Sequence, residues 1–246
     1  MLELVLIGSF VGLLSGFFGI GGGTILVPLL LFVGFDMKTA IGISVVQMVF
    51  SSIYGSYLNL KKGTLDTKMV SVIGVGGFLG ALLSGTIVAN VDAKVLQMLF
   101  LAFSTFALVR LFFKVKEHKS AKKVNPVILF FIGVILGMFS VSIGVGGSLL
   151  LVPILVGFLH VRLQNATSAG LFFVVFSSVS GLLSQSLHGV IDFHSGLVIG
   201  AASLLGVYLG VMLKHISSEA NQRYLIVLFY ISVVAYLTYR TFFLEG

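Results

Sequence analysis

The sequence predicts an all-α integral membrane protein built from two homologous four-segment halves. Three observations carry this. Apolar residues make up 58% of the 246 residues and charged residues 9%, with a mean hydropathy of +1.16. A soluble domain of this size needs far more polar surface, so lipid must be the main solvent. Apolar runs of spanning length also alternate with short polar connectors. Finally, the second half of the chain repeats the first.

Taken in order, the apolar runs cover about residues 3–33, 37–60, 66–89, 93–114, 126–158, 163–186, 192–214 and 219–243. Six are near the roughly 20–25 residues that a spanning helix needs. The first and fifth exceed 30 residues, and each carries a glycine cluster and a proline near its middle. Those clusters are Gly16-Phe17-Phe18-Gly19-Ile20-Gly21-Gly22-Gly23-Thr24 leading to Pro28, and Gly144-Val145-Gly146-Gly147-Ser148 leading to Pro153. Glycine weakens a helix and proline removes a backbone donor, so a break is expected in both, with Gly19, Pro28, Gly144 and Pro153 as its structural residues. The start of the chain, Met1 to Ser9, has no basic residue ahead of its apolar run and no small-residue cleavage site, which reads as mature helix and not as a signal peptide. The organisation follows: residues 1–115 form one transmembrane repeat, 116–125 a basic cytoplasmic connector, and 126–246 the second repeat.

At an offset of 125, Gly12 meets Gly137, Ser15 meets Ser140, Gly19 meets Gly144, Gly22 meets Gly147 and Pro28 meets Pro153. One extra residue then moves the offset to 126, where Phe50-Ser51-Ser52 meets Phe176-Ser177-Ser178, Gly55 meets Gly181 and Asp66 meets Asp192. Whether the halves are parallel or inverted depends on whether the first and fifth segments cross the membrane. If both cross, five of the fifteen basic residues lie outside; if both fold back, only Lys38, Lys94 and Arg240 do. Cytoplasmic loops concentrate Lys and Arg, so the count favours inverted repeats with re-entrant first and fifth segments. Six basic residues sit between Arg110 and Lys123, which accounts for much of the net charge of +7 as a topology signal and leaves no case for nucleic acid.

Glutamate and aspartate fall only at segment ends and connectors, so no carboxylate cage for a cation is expected, and no basic residue is expected within the membrane. The chain has no cysteine, which excludes a disulfide framework or a thiolate metal site. No metal site, cofactor or catalytic set stands out: HExxH, CxxC, GxSxG and P-loop patterns are absent, and the glycine cluster lacks the strand that a dinucleotide fingerprint requires. Asp66 and Asp192 read as N-caps. His160, His188, His194 and His215 lie near segment ends and are weak candidates for proton coupling.

The interior does offer hydrogen-bond donors. Backbone N–H groups of Gly21, Gly22, Gly23 and Thr24, and of Gly146, Gly147 and Ser148, would open a half-helix whose positive end attracts anions. Non-helical backbone survives at membrane depth only where protein or a cavity satisfies it. Paired interrupted segments at matching places in two halves are the best sequence pointer to a transporter's binding site. The second and sixth segments add Ser44, Gln47, Ser51 and Ser52, with Thr167, Ser168, Ser177 and Ser178 opposite. Of these, Gln47 and the repeated pairs Ser51-Ser52 and Ser177-Ser178 complete the candidate substrate site. Scattered glycines such as Gly74, Gly76, Gly77, Gly80, Gly196, Gly200 and Gly206 read as close-packing positions.

Two copies of a G-x-G-G-G/S-x-x-x-V-P motif opening homologous apolar halves, joined by a basic loop, resemble the TauE/SafE family of membrane transporters. The resemblance covers residues 4–243 and implies a plasma-membrane permease exporting small sulfur-containing or carboxylated anions, such as sulfite or an organosulfonate. It points to Gly19, Gly21, Gly22, Gly23 and Pro28 with Gly144, Gly146, Gly147, Ser148 and Pro153; Ser148 departs from the third glycine, which makes the half-sites non-equivalent. The expected function is alternating-access transport of a small anion at a midplane site, without enzymatic activity, with the lipid bilayer and the anion as partners and a homodimer as an admissible assembly. An anion channel and a non-transporting scaffold subunit are the alternatives.

Overall fold

Lipid satisfies no backbone hydrogen bond, so a chain this apolar must pair its amides within helices. The computed structural model describes residues 1–19, 21–63, 67–112, 125–157, 159–161, 163–217 and 219–244, and every regular element among them is helical. In the first half these are α1 (Leu2–Phe18), α2 (Gly23–Val33), α3 (Met37–Lys61), α4 (Thr67–Ala81), α5 (Ser84–Asn90) and α6 (Ala93–Phe112). The second half holds α7 (Pro126–Ser142), α8 (Ser148–Gly157), α9 (Leu163–Leu187), α10 (Phe193–Ile216) and α11 (Glu219–Tyr239), closed by a π-helical turn at Arg240–Leu244.

Local chemistry sets several ends. Asp36 caps α3 by accepting from the Thr39 N–H at 3.1 Å, and Asp192 caps α10 by accepting from Ser195 N–H at 3.1 Å. Asn125 caps α7 at the Val127 N–H, 3.0 Å away, and Pro126 occupies the first helical position, where its missing N–H costs nothing. Asp66, the other expected cap, lies outside the described residues, as does most of the basic connector.

Four stretches are long and apolar enough to cross a membrane: Met37–Lys61, Val70–Asn90, Asn165–Leu187 and Phe193–Lys214. They match the second, third, sixth and seventh apolar runs. The third run is interrupted by a Leu82-Leu83 turn between α4 and α5. The first and fifth runs are each broken into two helices, as expected. At a rise of about 1.5 Å per residue, α2 and α8 are only about 16 Å long. Neither can span a hydrocarbon core of about 30 Å.

The place of the breaks differs from expectation. Among the described residues they fall at 19, 21 and 22 and at 143–147, upstream of both prolines. Pro28 and Pro153 lie inside α2 and α8, each as the sixth residue. A proline there removes one hydrogen bond, to the carbonyl of Thr24 or of Leu149, and the helix continues past it. The glycines make the break: Gly19 ends α1 in the left-handed region at φ 68°, and Gly144, Gly146 and Gly147 have φ of 76°, 77° and 87°.

Small residues fix how the helices dock. On α1, a Cβ at Gly8 or Gly12 would meet the carbonyls of Ile199 or Ser203 on α10, and Gly16 abuts Val207. The α4–α7 pair repeats this: Gly133 and Gly137 press on the backbone of Ile73 and Gly77, and Gly76 and Gly80 on Phe130 and Val134. Without a hydrophobic drive between helices in lipid, such close backbone approach supplies the packing. The scattered glycines therefore pack as expected: Gly74 on Phe176, Gly77 on Phe173, Gly196 on Val46, Gly200 on Phe50 and Gly206 on Ser9.

The same contacts give helix directions. Rising numbers on α1 meet rising numbers on α10, and α10 runs with α3, since Gly196 meets Val46 and Gly200 meets Phe50. Likewise α9 runs with α4, because Ser180 donates to the Phe78 carbonyl and Ser184 to that of Leu82. By contrast α3 and α9 are opposed: Gly55 meets Leu171, while Gly181 meets Val45. Large apolar side chains such as Leu187, Leu205, Phe32 and Phe243 point outward, the surface that lipid solvates.

Candidate functional site at the two helix breaks

α2 doubles back along α3, so its first residues reach the middle of that helix. A Cβ on Gly22 would overlap the Gln47 carboxamide, and one on Gly23 would run into the Gly144 backbone and come within 2.8 Å of Met48 Sδ. The second break docks the same way. Gly147 packs on the Phe173 ring of α9, Gly146 on Met48 and Val174, and Ser177 donates to the Gly146 carbonyl at 3.1 Å. Ser44 donates to the Gly144 carbonyl at 3.2 Å, and Gly21 faces the Ser148 hydroxyl. The two glycine tips thus touch one another between α3 and α9, with Met48 between them.

Among the expected site residues, the structure brings together Gly21, Gly22, Gly23, Gln47, Gly146, Gly147, Ser148 and Ser177, with Gly19 and Gly144 at the turns. Ser51, Ser52 and Ser178 are buried too, but their hydroxyls bond carbonyls of their own helices, at Met48, Val49 and Val175. Thr24 lies beside the phenol of Tyr230 on α11. Pro28 and Pro153 sit one and a half turns further along their helices and do not line the tips.

The electrostatics follow from the helix ends. Gly22 caps α2 without any side-chain hydrogen bond; the first intrahelical donors are Ile25 and Leu26, both to the Gly22 carbonyl, at 3.1 and 2.8 Å. The N–H groups of Gly23 and Thr24 therefore precede the helical ladder at the positive end of the helix. Gln47 is fully buried, and neither its Nε2 nor its Oε1 has a hydrogen-bond partner; the Ser148 hydroxyl is buried without one as well. A carboxamide so placed costs about 1–3 kcal/mol per unsatisfied group. Buried polar groups are almost always paired, so this one asks for a ligand.

One feature was not legible in the sequence. Lys214, expected at a segment end, is 6% exposed within α10 and donates to Thr167 Oγ1 at 2.8 Å. Thr167 in turn packs on Gly19, the last turn of α1 before the break. The basic residue at the end of the Phe193–Lys214 stretch is thus drawn inward and linked through Thr167 to the turn at Gly19. The signal that could have found it is the pairing of a lone lysine with the polar start of the sixth segment, Thr167-Ser168.

A family model described as sulfite exporter TauE/SafE matches residues 4–237. A probable membrane transporter protein of Methanocaldococcus jannaschii is 30% identical over 195 residues, 74% of this chain and 70% of that protein. The probable membrane transporter protein YdhB of Bacillus subtilis is 26% identical, covering 84% of this chain and 87% of its own. One of Haemophilus influenzae is 24% identical over 77% of this chain and 75% of its own. No solved structure matches. With paired broken helices meeting between four spanning stretches, and a family match over nearly its whole length, the chain belongs to the TauE/SafE family of membrane transporters.

Proposed function

We propose that the protein is a secondary transporter of the plasma membrane that exports a small oxyanion or carboxylate, sulfite and organosulfonates being the leading candidates. The ligand sits where the tips of α2 and α8 meet, and the observation that carries this is the buried Gln47 carboxamide lying unpartnered against Gly22. The N–H groups at the start of α2, at the positive end of the helix, suit an anion without a full cationic partner. The wording of the family description, a sulfite exporter, supports both the substrate class and the direction.

Two inverted halves fit the helix directions, because α3 and α9 are equivalent in the repeat yet run opposed. Each tip stays on its own side in this reading, and the positive-inside count agrees with it. The described tip residues are buried, which suits an occluded state from which either side opens as one half rocks against the other.

The test is flux in proteoliposomes loaded with sulfite, sulfoacetate, thiosulfate, sulfate or a small carboxylate, with and without imposed pH and sodium gradients. Saturable, trans-stimulated flux of one or more of these is expected. Unsaturable flux would point to a channel, and absence of flux across the panel would overturn the reading.

A further inference from the structure

We propose that the transported anion carries its own hydrogen-bond donor: a protonated oxyanion, or an anion bearing a hydroxyl or ammonium group close to its charged end. This rests on the reading of the α2 tip as an anion site and narrows its substrate class. Gln47 offers an NH2 donor and a carbonyl acceptor, both buried and both without a partner. Because both ends are open, the argument is the same whichever way the amide is oriented.

The donors around Gly22 have an obvious use. The N–H groups of Gly23 and Thr24 and the Gln47 NH2 can all point at anionic oxygens. Gln47 Oε1 cannot. An acceptor-only anion such as an alkylsulfonate would either leave that oxygen desolvated or set it against another oxygen. A ligand O–H or N–H pairs it, and the Ser148 hydroxyl, facing Gly21 and also unpartnered, can serve the same polar group as donor or acceptor.

The repeat shows that this is a property of one tip. The residue equivalent to Gln47 at the 126 offset is Phe173, whose ring packs on Gly147 where the carboxamide packs on Gly22. Thr24 likewise corresponds to Leu149. The α8 tip is covered by an aromatic ring, and the donor and acceptor pair exists once. Sites built to hydrogen-bond a substrate hydroxyl reject the analogue lacking it far more strongly than apolar pockets separate homologues.

The experiment compares 2-hydroxyethanesulfonate with propane-1-sulfonate, which replaces the hydroxyl by a methyl group at constant charge and similar size. Each competes, in proteoliposomes of the wild-type protein, with the anion that the flux panel shows to be transported, and each is titrated into detergent-solubilised protein. The hydroxylated anion is expected to compete at least about tenfold better, the lower range of leaving a buried acceptor unpaired. In Gln47→Leu, checked for folding by its thermal transition, that preference should fall below about twofold. Equal competition by the two sulfonates in the wild type, or full preference retained in Gln47→Leu, overturns the inference while leaving anion transport standing. Failure of every anion to move overturns the functional reading as well.

Discussion

Replacing Gly23 by alanine tests whether the contact between the two tips is the working part of the molecule. Gly23 opens α2 and needs no unusual torsion, so alanine should gain about 0.5–1 kcal/mol of helix propensity there. The new Cβ, however, would lie 2.8 Å from Met48 Sδ and 3.0 Å from the Gly144 carbonyl carbon, with the oxygen nearer still. Non-bonded contacts are most favourable at about 3.5–4.0 Å, so clearing the carbonyl oxygen requires the tips to part by about 1 Å or more. Forcing a methyl into packed backbone costs about 1–3 kcal/mol, and the net loss should be near 1–2 kcal/mol after the helix gain. Thermal unfolding in detergent would register that as a drop of a few degrees. Flux should fall much further, at least about tenfold, because displacing binding groups by about 1 Å can cost two orders of magnitude in a reaction that needs them aligned. Wild-type flux beside the expected loss of stability would show that the tips merely pack, and no change in either would show that they do not meet.

Other substitutions separate packing from transport and fix topology. Gly12→Val and Gly137→Val, which drive side chains into the Ser203 and Gly77 backbones, should each cost about 3 kcal/mol or more and leave little monodisperse protein on gel filtration; normal yields would refute the close-packing account. Lys62 and His188 are exposed and equivalent in the repeat, so in this cysteine-free chain an impermeant thiol reagent on intact cells should label His188→Cys and not Lys62→Cys; labelling of both or neither refutes inversion. At Asp36 burial opposes ionisation as the largest single influence, but the hydrogen bonds from Thr39 and the neighbouring backbone together outweigh it and hold the carboxyl below the usual range; at Asp192 the bond with Ser195 dominates with the same sign. Both carboxyls therefore stabilise the fold above the unfolded carboxylate pKa and lose that contribution as pH falls through their lower folded values. Asp36→Ala and Asp192→Ala should each cost about 1 kcal/mol at neutral pH and flatten the acid limb of a melting-temperature profile, and an unchanged acid limb in the double variant would exclude these caps as its source.

How far the sequence could be read depended on where each constraint acts. Segment lengths were legible because lipid forces every amide into a helix and sets the span, which is why the runs 37–60 and 163–186 agree with α3 and α9 to within a residue or two. The breaks were legible as regions, yet Pro28 and Pro153 misplaced them: a proline deletes one hydrogen bond, whereas left-handed glycines redirect the whole chain. Gln47 stood out because an amide in an apolar helix is costly. What no pattern could give is docking. Ser44 and Ser177 reach the opposite and the near tip only once α3 and α9 lie side by side, and Lys214 enters the interior only because α10 lies along α1 as far as the break. Its place in the sequence, next to His215 and a polar connector, looks like an ordinary helix end.

The repeat equates Gln47 with Phe173, Thr167 with Ile41 and Lys214 with Val88, so the carboxamide and the lysine–threonine pair lie by the first tip, whereas serines line the second, with Ser148 in the place of Gly23. The short helices, by contrast, are built alike, each with its proline at the sixth position, although Gly22 is right-handed at φ -65° where its equivalent Gly147 has φ 87°. In the proposed cycle these two facts have separate uses. A short broken helix in each half lets either half rock against the other, which is what opening to either side requires. Unmatched side chains hold one anion in one orientation, with its charge at the α2 tip and Lys214 and Thr167 beside the turn at Gly19. Adding a second carboxamide by Phe173→Gln, which leaves Gln47 in place, should therefore weaken the single orientation of the ligand without impairing the exchange, and trans-stimulated flux and the preference for the hydroxylated over the methylated sulfonate should both survive.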